Sequence, residues 1–292
     1  MIWRHATGTL TLDRPRVVGI LNVTPDSFSD GGLLRSVDDA RRHVDRLVAE
    51  GADVVDIGGE STRPQGARPV DAEEEIRRVV PVVEAVRREH SELPISVDTV
   101  KASVALAAMR AGASIVNDVS AFRLDEGMAS VCAENEAGVV LMHSRGDVAT
   151  MATFEHARYG VDVVGEVCAE LTTSVNRALA ARVQHDRIVI DPGIGFAKRG
   201  EDSLTVLADL RRLASLGNGE REHFPVMVGV SRKRFIGAIT NAASPSDRVF
   251  GTVGANVAAL ERGARLFRVH DVKANRDALD VAWAIMQQTN GS

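Results

Sequence analysis

Eight short apolar runs in this 292-residue chain end on a side chain able to do chemistry. They extend from Arg16 to Asn22, Asp53 to Glu60, Ile95 to Asp98, Ser114 to Asn117, Val139 to His143, Ile188 to Asp191, Val226 to Ser231 and Leu266 to His270. Asp98, Asn117 and Asp191 are acceptor-rich, and three such ends in one pocket suit a flat heterocycle carrying ring N–H and amino donors. Met142 offers that ring a soft apolar face. Arg268 and His270 stand two apart, so strand alternation sends both to one side, where they can share a phosphate; a histidine satisfied in the core is the plainer alternative. Arg232, Lys233 and Arg234 open a helical stretch, an arrangement the helix dipole disfavours unless an anion sits there.

Two loops add to this set. The first, Asn22 to Gly32 (NVTPDSFSDGG), carries Asp26, Phe28 and Asp30 between structure-breaking Pro25 and Gly31-Gly32. It reads either as an Asx-rich solvated connector or as a lid that brings Phe28 and two carboxylates over a ligand. The second, Gly58 to Pro64 (GGESTRP), leaves its strand through two glycines that permit close backbone approach, and Arg63 is a forked donor suited to phosphate. A surface salt bridge is the alternative for Arg63.

Strands that alternate with helices imply a parallel sheet, and eight of them imply an α/β fold of the closed (β/α)8 TIM-barrel type, with all strand C-termini on one face. Thr9 to Thr11 reads as a short strand turning at Asp13-Arg14-Pro15, part of a strand or hairpin closing the barrel bottom. The clearest helix begins at Asp71 with Glu74 as a capping box, and Ile76, Val79, Val80, Val83 and Val86 form its buried stripe, interrupted by Pro81. Other helical segments are expected over 36–50, 101–111, 126–136, 162–182, 203–215, 247–262 and 276–288. No linker interrupts the alternation, so residues 1–292 are expected to form a single domain.

At 45% hydrophobic and 26% charged, with a net charge of −5, the chain has a globular composition with no general affinity for nucleic acid. It lacks a run long enough to span a bilayer and an apolar leader, so a cytoplasmic location with no membrane partner is expected. Cys132 and Cys168 lack metal-ligand or CxxC spacing and read as reduced, buried thiols. No zinc cluster, Walker loop or GxGxxG motif is present, so any metal should be a hard cation such as Mg2+, held partly by substrate phosphate.

The runs ILNVTPDSFSDGG, GADVVDIGGESTRP, ISVDT, AGASIVNDVS, VVLMHSRG, DPGIGFAK, VGVSRKRFIG and RVHDV, in this order from Val17 to about Ala284, resemble the dihydropteroate synthases of the pterin-binding enzyme family. The resemblance implies a transferase of folate biosynthesis that joins 6-hydroxymethyl-7,8-dihydropterin pyrophosphate to p-aminobenzoate by a dissociative substitution. It implies pterin contacts from Asp98, Asn117, Met142, Asp191 and Lys233, and pyrophosphate contacts from Asn22, Arg63, Arg268 and His270, with Mg2+ near Asn22. It places p-aminobenzoate among Phe28, Thr62, Pro64, Phe196, Ser231 and Arg234, and gives Asp30, Arg63 and Lys233 catalytic parts. Sulfonamide inhibition and a homodimer are implied as well. The chain departs from the family pattern at Gln65, at Ser120-Ala121-Phe122 where Ser-Gly-Gly is usual, and at Arg234 where many relatives carry Ser. A methyltetrahydrofolate:corrinoid methyltransferase on the same barrel would have no use for the cations of a pyrophosphate site. A pterin-binding paralogue without catalysis would have lost the loop residues, and Asn22, Asp30 and Arg63 are all present.

Overall fold

A computed structural model describes residues 1–23, 36–60, 70–216 and 223–289. A hairpin comes first, β1 (Ile2–His5) against β2 (Gly8–Thr11), antiparallel. Then follow β3 (Arg16–Asn22), β4 (Val54–Gly58), β5 (Ile95–Asp98), β6 (Ile115–Asp118), β7 (Gly138–Met142), β8 (Ile188–Asp191), β9 (Met227–Val228) and β10 (Leu266–Val269), all parallel in one 8-stranded sheet. Its order is β8-β7-β6-β5-β4-β3-β10-β9, and the two ends meet where Ile190 bridges Val226 and its N–H donates to Pro225 O at 3.0 Å. The eight apolar runs thus make the barrel, although the seventh is regular over only two residues.

Alternation along each strand divides the core. Val17, Leu21, Val55, Ile57, Val139, Leu141 and Phe267 face outward into the main core beneath the helices. Val18, Val54, Ile115, Val140, Val189, Met227 and Leu266 face inward and form a separate apolar layer with Trp3 and Leu12. Trp3 is buried, and its indole N–H donates to Arg187 O at 2.9 Å, so the hairpin stoppers the barrel bottom. Its first strand, IWRH, alternates exposed and buried residues, but its residue types carry no apolar–polar alternation that marks it as one. The next inward positions up the barrel are Asp56, Asn117, Met142, Asp191 and Arg268. The interior is therefore apolar below and polar above.

Outside lie α1 (Val37–Ala49), α2 (Ala72–Glu89), α3 (Ala102–Ala111), α4 (Met128–Glu134), α5 (Val163–Ala180), α6 (Gly200–Ala208), α7 (Leu210–Ala214), α8 (Arg234–Thr240), α9 (Val249–Glu261) and α10 (Val272–Thr289). The segment expected over 203–215 is two helices broken at Asp209. Asp71 caps α2 by accepting from Glu74 N–H at 2.7 Å, but the Glu74 carboxylate turns to Arg77 and Arg78, so only half of the expected box forms. The helix continues through Pro81, and its fully buried face is Glu75, Val79, Val82, Val83 and Val86. Glu75 thus stands where the apolar stripe places Ile76. The Lys101 ammonium, 2.6 Å from Glu75 and 3.0 Å from Glu60, makes that burial tolerable. No helix among the described residues is long and apolar enough to cross a membrane.

Candidate active site

The polar layer is knit by charge-assisted hydrogen bonds. Arg268 Nε donates to Asp56 Oδ2 at 2.6 Å and Nη2 to Asp98 Oδ2 at 2.7 Å, while Asn117 Nδ2 donates to Asp56 at 3.1 Å. Asp191 Oδ1 accepts from Gly193 N–H at 2.7 Å. Asp56 Oδ1 and Asn117 Oδ1, both buried, have no hydrogen-bond partner among the described residues, which is costly for the free protein and suits a donor-bearing ligand. Met142 joins Val100, Val119, Met151, Ala152 and Phe196 in an apolar cluster. Lys233 Nζ lies 4.0 Å from the centre of the Phe196 ring.

Burial sets the charge states here. It pushes Asp98 up to about 7, against the Arg268 guanidinium and with help from Asp56. It raises Asp191 to about 6, opposed by the Gly193 N–H and by Lys233. Lys233 is drawn down to about 8 by burial and by Arg268, with Asp191 opposing. Carboxylates and an ammonium that titrate near neutrality, gathered at the C-terminal end of one barrel, mark a functional site.

Of the residues singled out in the sequence, Asp98, Asn117, Met142, Asp191, Lys233, Phe196 and Arg268 belong to this layer or the cluster that borders it. Asn22 ends β3, half-buried and paired in register with Gly58. Ser231 Oγ lies 3.0 Å from His270 Nδ1 and accepts from His270 N–H at 3.1 Å, so the two form one unit. Arg268 is committed at two nitrogens to carboxylates rather than sharing its whole fork with His270. Arg234 is exposed, stacks 4.6 Å from the Phe154 ring and donates to Ala152 O at 3.0 Å. Phe28, Asp30, Thr62, Arg63 and Pro64 lie outside the described residues.

The cation run at 232–234 is divided. Arg232, at φ 57, makes a bidentate pair with Asp271 at 2.9 and 2.6 Å, Lys233 enters the site, and Arg234 turns to Phe154 and the Ala152 carbonyl at its border. An internal carboxylate therefore takes up part of the charge for which an anion was expected. The glycine at 59 also has a different reason from ligand approach: a Cβ there would lie 2.8 Å from Val79 and 2.9 Å from Glu75, so it admits α2. Asp118 faces away from the barrel interior and ties the loop after β6, accepting from Ser120 N–H, Ser120 Oγ–H and Phe122 N–H at 2.7, 2.7 and 3.0 Å.

That loop explains the departure from the usual glycines. Ala121 and Phe122 adopt φ 52 and 62, a region that favours glycine. Besides Asp118, Arg177 holds the turn by donating to the Ala121 and Phe122 carbonyls at 3.3 and 3.2 Å. Asp56 is the main member the sequence reading passed over. Its signal was an acid in the middle of the apolar run Val54–Gly58, facing the same side as Gly58. His143 and Lys198 are likewise buried together, Nζ to Nδ1 at 2.7 Å.

A family model described as "Pterin binding enzyme" matches residues 18–270. The dihydropteroate synthase of Synechocystis sp. is 43% identical over 272 residues, covering 93% of this chain and 90% of the relative. The mitochondrial folate synthesis bifunctional protein of Pisum sativum is 44% identical over 280 residues, covering 94% of this chain; the chain spans 54% of that longer protein. Among solved structures, Xanthomonas albilineans dihydropteroate synthase with 4-aminobenzoic acid superposes with a TM-score of 0.85 at 48% identity, covering 95% of each chain. The Xanthomonas albilineans enzyme in complex with 7,8-dihydropteroate gives 0.83 at 46%, covering 95% and 96%. Yersinia pestis dihydropteroate synthase in a sulfonamide complex gives 0.89 at 38%, covering 98% and 100%.

Proposed function

The chain belongs to the pterin binding enzyme family, and from that premise we propose that it is a dihydropteroate synthase. It condenses 6-hydroxymethyl-7,8-dihydropterin pyrophosphate with p-aminobenzoate to 7,8-dihydropteroate and pyrophosphate, a step of folate biosynthesis. The observation that carries this reading is the polar layer: Asp56, Asp98, Asn117 and Asp191, with buried acceptor oxygens on Asp56 and Asn117 that no donor among the described residues meets. A pterin edge brings ring N–H and amino donors to such acceptors, and Met142 packs on its face.

In this reading Lys233 serves the pterin from beside Phe196, and Arg268 orients Asp56 and Asp98 while keeping positive charge close to the departing pyrophosphate. His270, set by Ser231, and Asn22 at the end of β3 join it there. Arg63 and Asp30 keep the roles implied by family resemblance, anion stabilisation and cation stabilisation from their loops, while Phe28, Thr62, Pro64, Phe196, Ser231 and Arg234 surround p-aminobenzoate. Leaving of pyrophosphate generates cationic character on the pterin methylene carbon, and the aniline nitrogen then forms the new C–N bond and loses a proton. The residues thus act by electrostatic stabilisation and orientation, without a protein nucleophile.

The donor chemistry fits Mg2+ with few protein ligands: the Asn22 carboxamide supplies one hard oxygen, and phosphate and water supply the rest. When bound, the ion neutralises charge on the leaving pyrophosphate. The same reading takes residues 1–292 as one domain of a cytoplasmic homodimer, inhibited by sulfonamides that compete with p-aminobenzoate.

Purified protein given both substrates and Mg2+ is expected to form dihydropteroate and pyrophosphate in a one-to-one ratio, with neither formed when p-aminobenzoate or the pterin is omitted. Tight pterin binding without product would identify a pterin-binding protein that has lost the synthase reaction.

A further inference from the structure

The loop after β8, Pro192 to Lys198, brings Phe196 to the site in a conformation its own backbone does not favour. Gly193 and Gly195 stand at φ 65 and 77 and Ala197 at φ 46, the last in a region that costs a non-glycine residue about 1 kcal/mol or more. Gly193 is also pressed against the chain after β7, since a Cβ there would lie 1.9 Å from His143 O. Something must hold this segment closed.

Lys198 is 1% exposed, and the carbonyls it reaches are those of the loop itself. Its Nζ lies 3.2 Å from Gly193 O, 3.2 Å from Phe196 O and 2.7 Å from His143 Nδ1, which accounts for the three protons of an ammonium group. With His143 Nδ1 accepting, Nε2 carries the ring hydrogen and faces Glu170 Oε2 at 3.1 Å. Glu170 is fixed in turn by Arg145 Nε at 3.0 Å on α5's face of the barrel. Burial draws the Lys198 ammonium down to about 7, and two carbonyls with a histidine backed by a carboxylate meet its protons.

Both ends of what Lys198 grips touch the site. Gly193 N–H donates to Asp191 at 2.7 Å, and the Phe196 ring receives Lys233 at 4.0 Å. The Asp191 carbonyl also accepts from His143 N–H at 2.9 Å, so β7, β8 and the loop close on one another around this lysine. We propose that Lys198, buttressed by His143 and Glu170, is a positioning residue that sets Phe196 for the arylamine substrate without touching either substrate. This inference rests on the synthase reading for its substrate and on loop geometry alone for its mechanical part.

Lys198→Met keeps an unbranched side chain one atom shorter and removes all three donors. Hydrogen exchange on the free protein is expected to speed at least about tenfold at the amides of Phe196 and Ala197, which donate to Gly193 O and Met151 O at 3.0 and 2.7 Å, with β6 and β7 unchanged. In turnover, KM for p-aminobenzoate should rise at least about tenfold and KM for the pterin pyrophosphate no more than about threefold, equivalent to a gap of about 0.7 kcal/mol or more. Unchanged exchange and an unchanged arylamine KM would overturn the proposal. So would equal acceleration throughout the barrel with both KM values intact, the outcome of a purely structural lysine. If Lys198→Met does not fold, His143→Leu removes one acceptor and leaves both carbonyl anchors; a smaller rise in arylamine KM, about threefold, supports the proposal and a wild-type value overturns it. If wild-type protein shows no synthase turnover, the functional reading has failed, and the exchange measurement still decides whether Lys198 holds the loop.

Discussion

In water Asp191 and Asp98 would be ionised at neutral pH, but burial raises them to about 6 and about 7 and lowers Lys233 to about 8. A protonated carboxyl trades an acceptor site for an O–H donor, so paired ring N–H and amino donors are met best by the ionised form, and a lysine donates most strongly as the ammonium. Pterin affinity should therefore climb as pH rises through 6 to 7 and decline above about 8, measurable by calorimetric titration over a pH series. Stability has the opposite slope. Each acid has a higher pKa folded than unfolded, so its stabilising contribution is complete at low pH and is lost as pH rises through 6 and 7. Asp191→Asn can still accept the Gly193 N–H while removing the buried charge. It should raise Tm at about pH 8 by a few degrees, since about 1 kcal/mol corresponds to roughly 2–4 °C in a chain of this size, and it should be unhelpful for ligand binding. An unchanged or lower Tm would mean that Lys233 and Arg268 fully compensate Asp191.

Among the elements, α2 carries a buried carboxylate on its core-facing side. Glu75 is fully buried on it, pushed above the usual carboxylate range by burial, with Lys101 holding it from the start of α3. Lys101→Met leaves that carboxylate unpaired and should cost about 3–5 kcal/mol in urea unfolding at neutral pH. The cost should shrink as the pH is lowered and Glu75 takes up a proton; a pH-independent loss would point instead to packing. Such pairs also mark where the sequence stops being legible. The eight strands could be read because each apolar run ends in a polar residue, and Asp98, Asn117 and Asp191 were visible as those ends. Asp56 was hidden by being inside its run, and the burial of Glu75 depends on a lysine from another element. The triad of Lys198, His143 and Glu170 joins three distant segments through tertiary geometry, which no local period encodes. Pattern finds faces; partners come from the fold.

Across the molecule, the barrel separates stability from chemistry along its axis. The lower interior is apolar and stoppered by Trp3, and the upper interior is a charged layer with unmet acceptors. Trp3→Ala should cost about 3–5 kcal/mol in unfolding free energy and leave both KM values within about twofold of wild type, because the cavity opens at the end away from the site. A large KM change would show that the two ends are coupled. In the synthase reading the upper layer recognises the pterin. The most direct test of this is calorimetric titration of 6-hydroxymethylpterin into wild-type protein and into folded Asp191→Asn near pH 7.5. Loss of a charge-assisted contact of about 1.5–3 kcal/mol predicts a Kd weakened by roughly 10- to 150-fold. A Kd within about twofold of wild type would contradict the account.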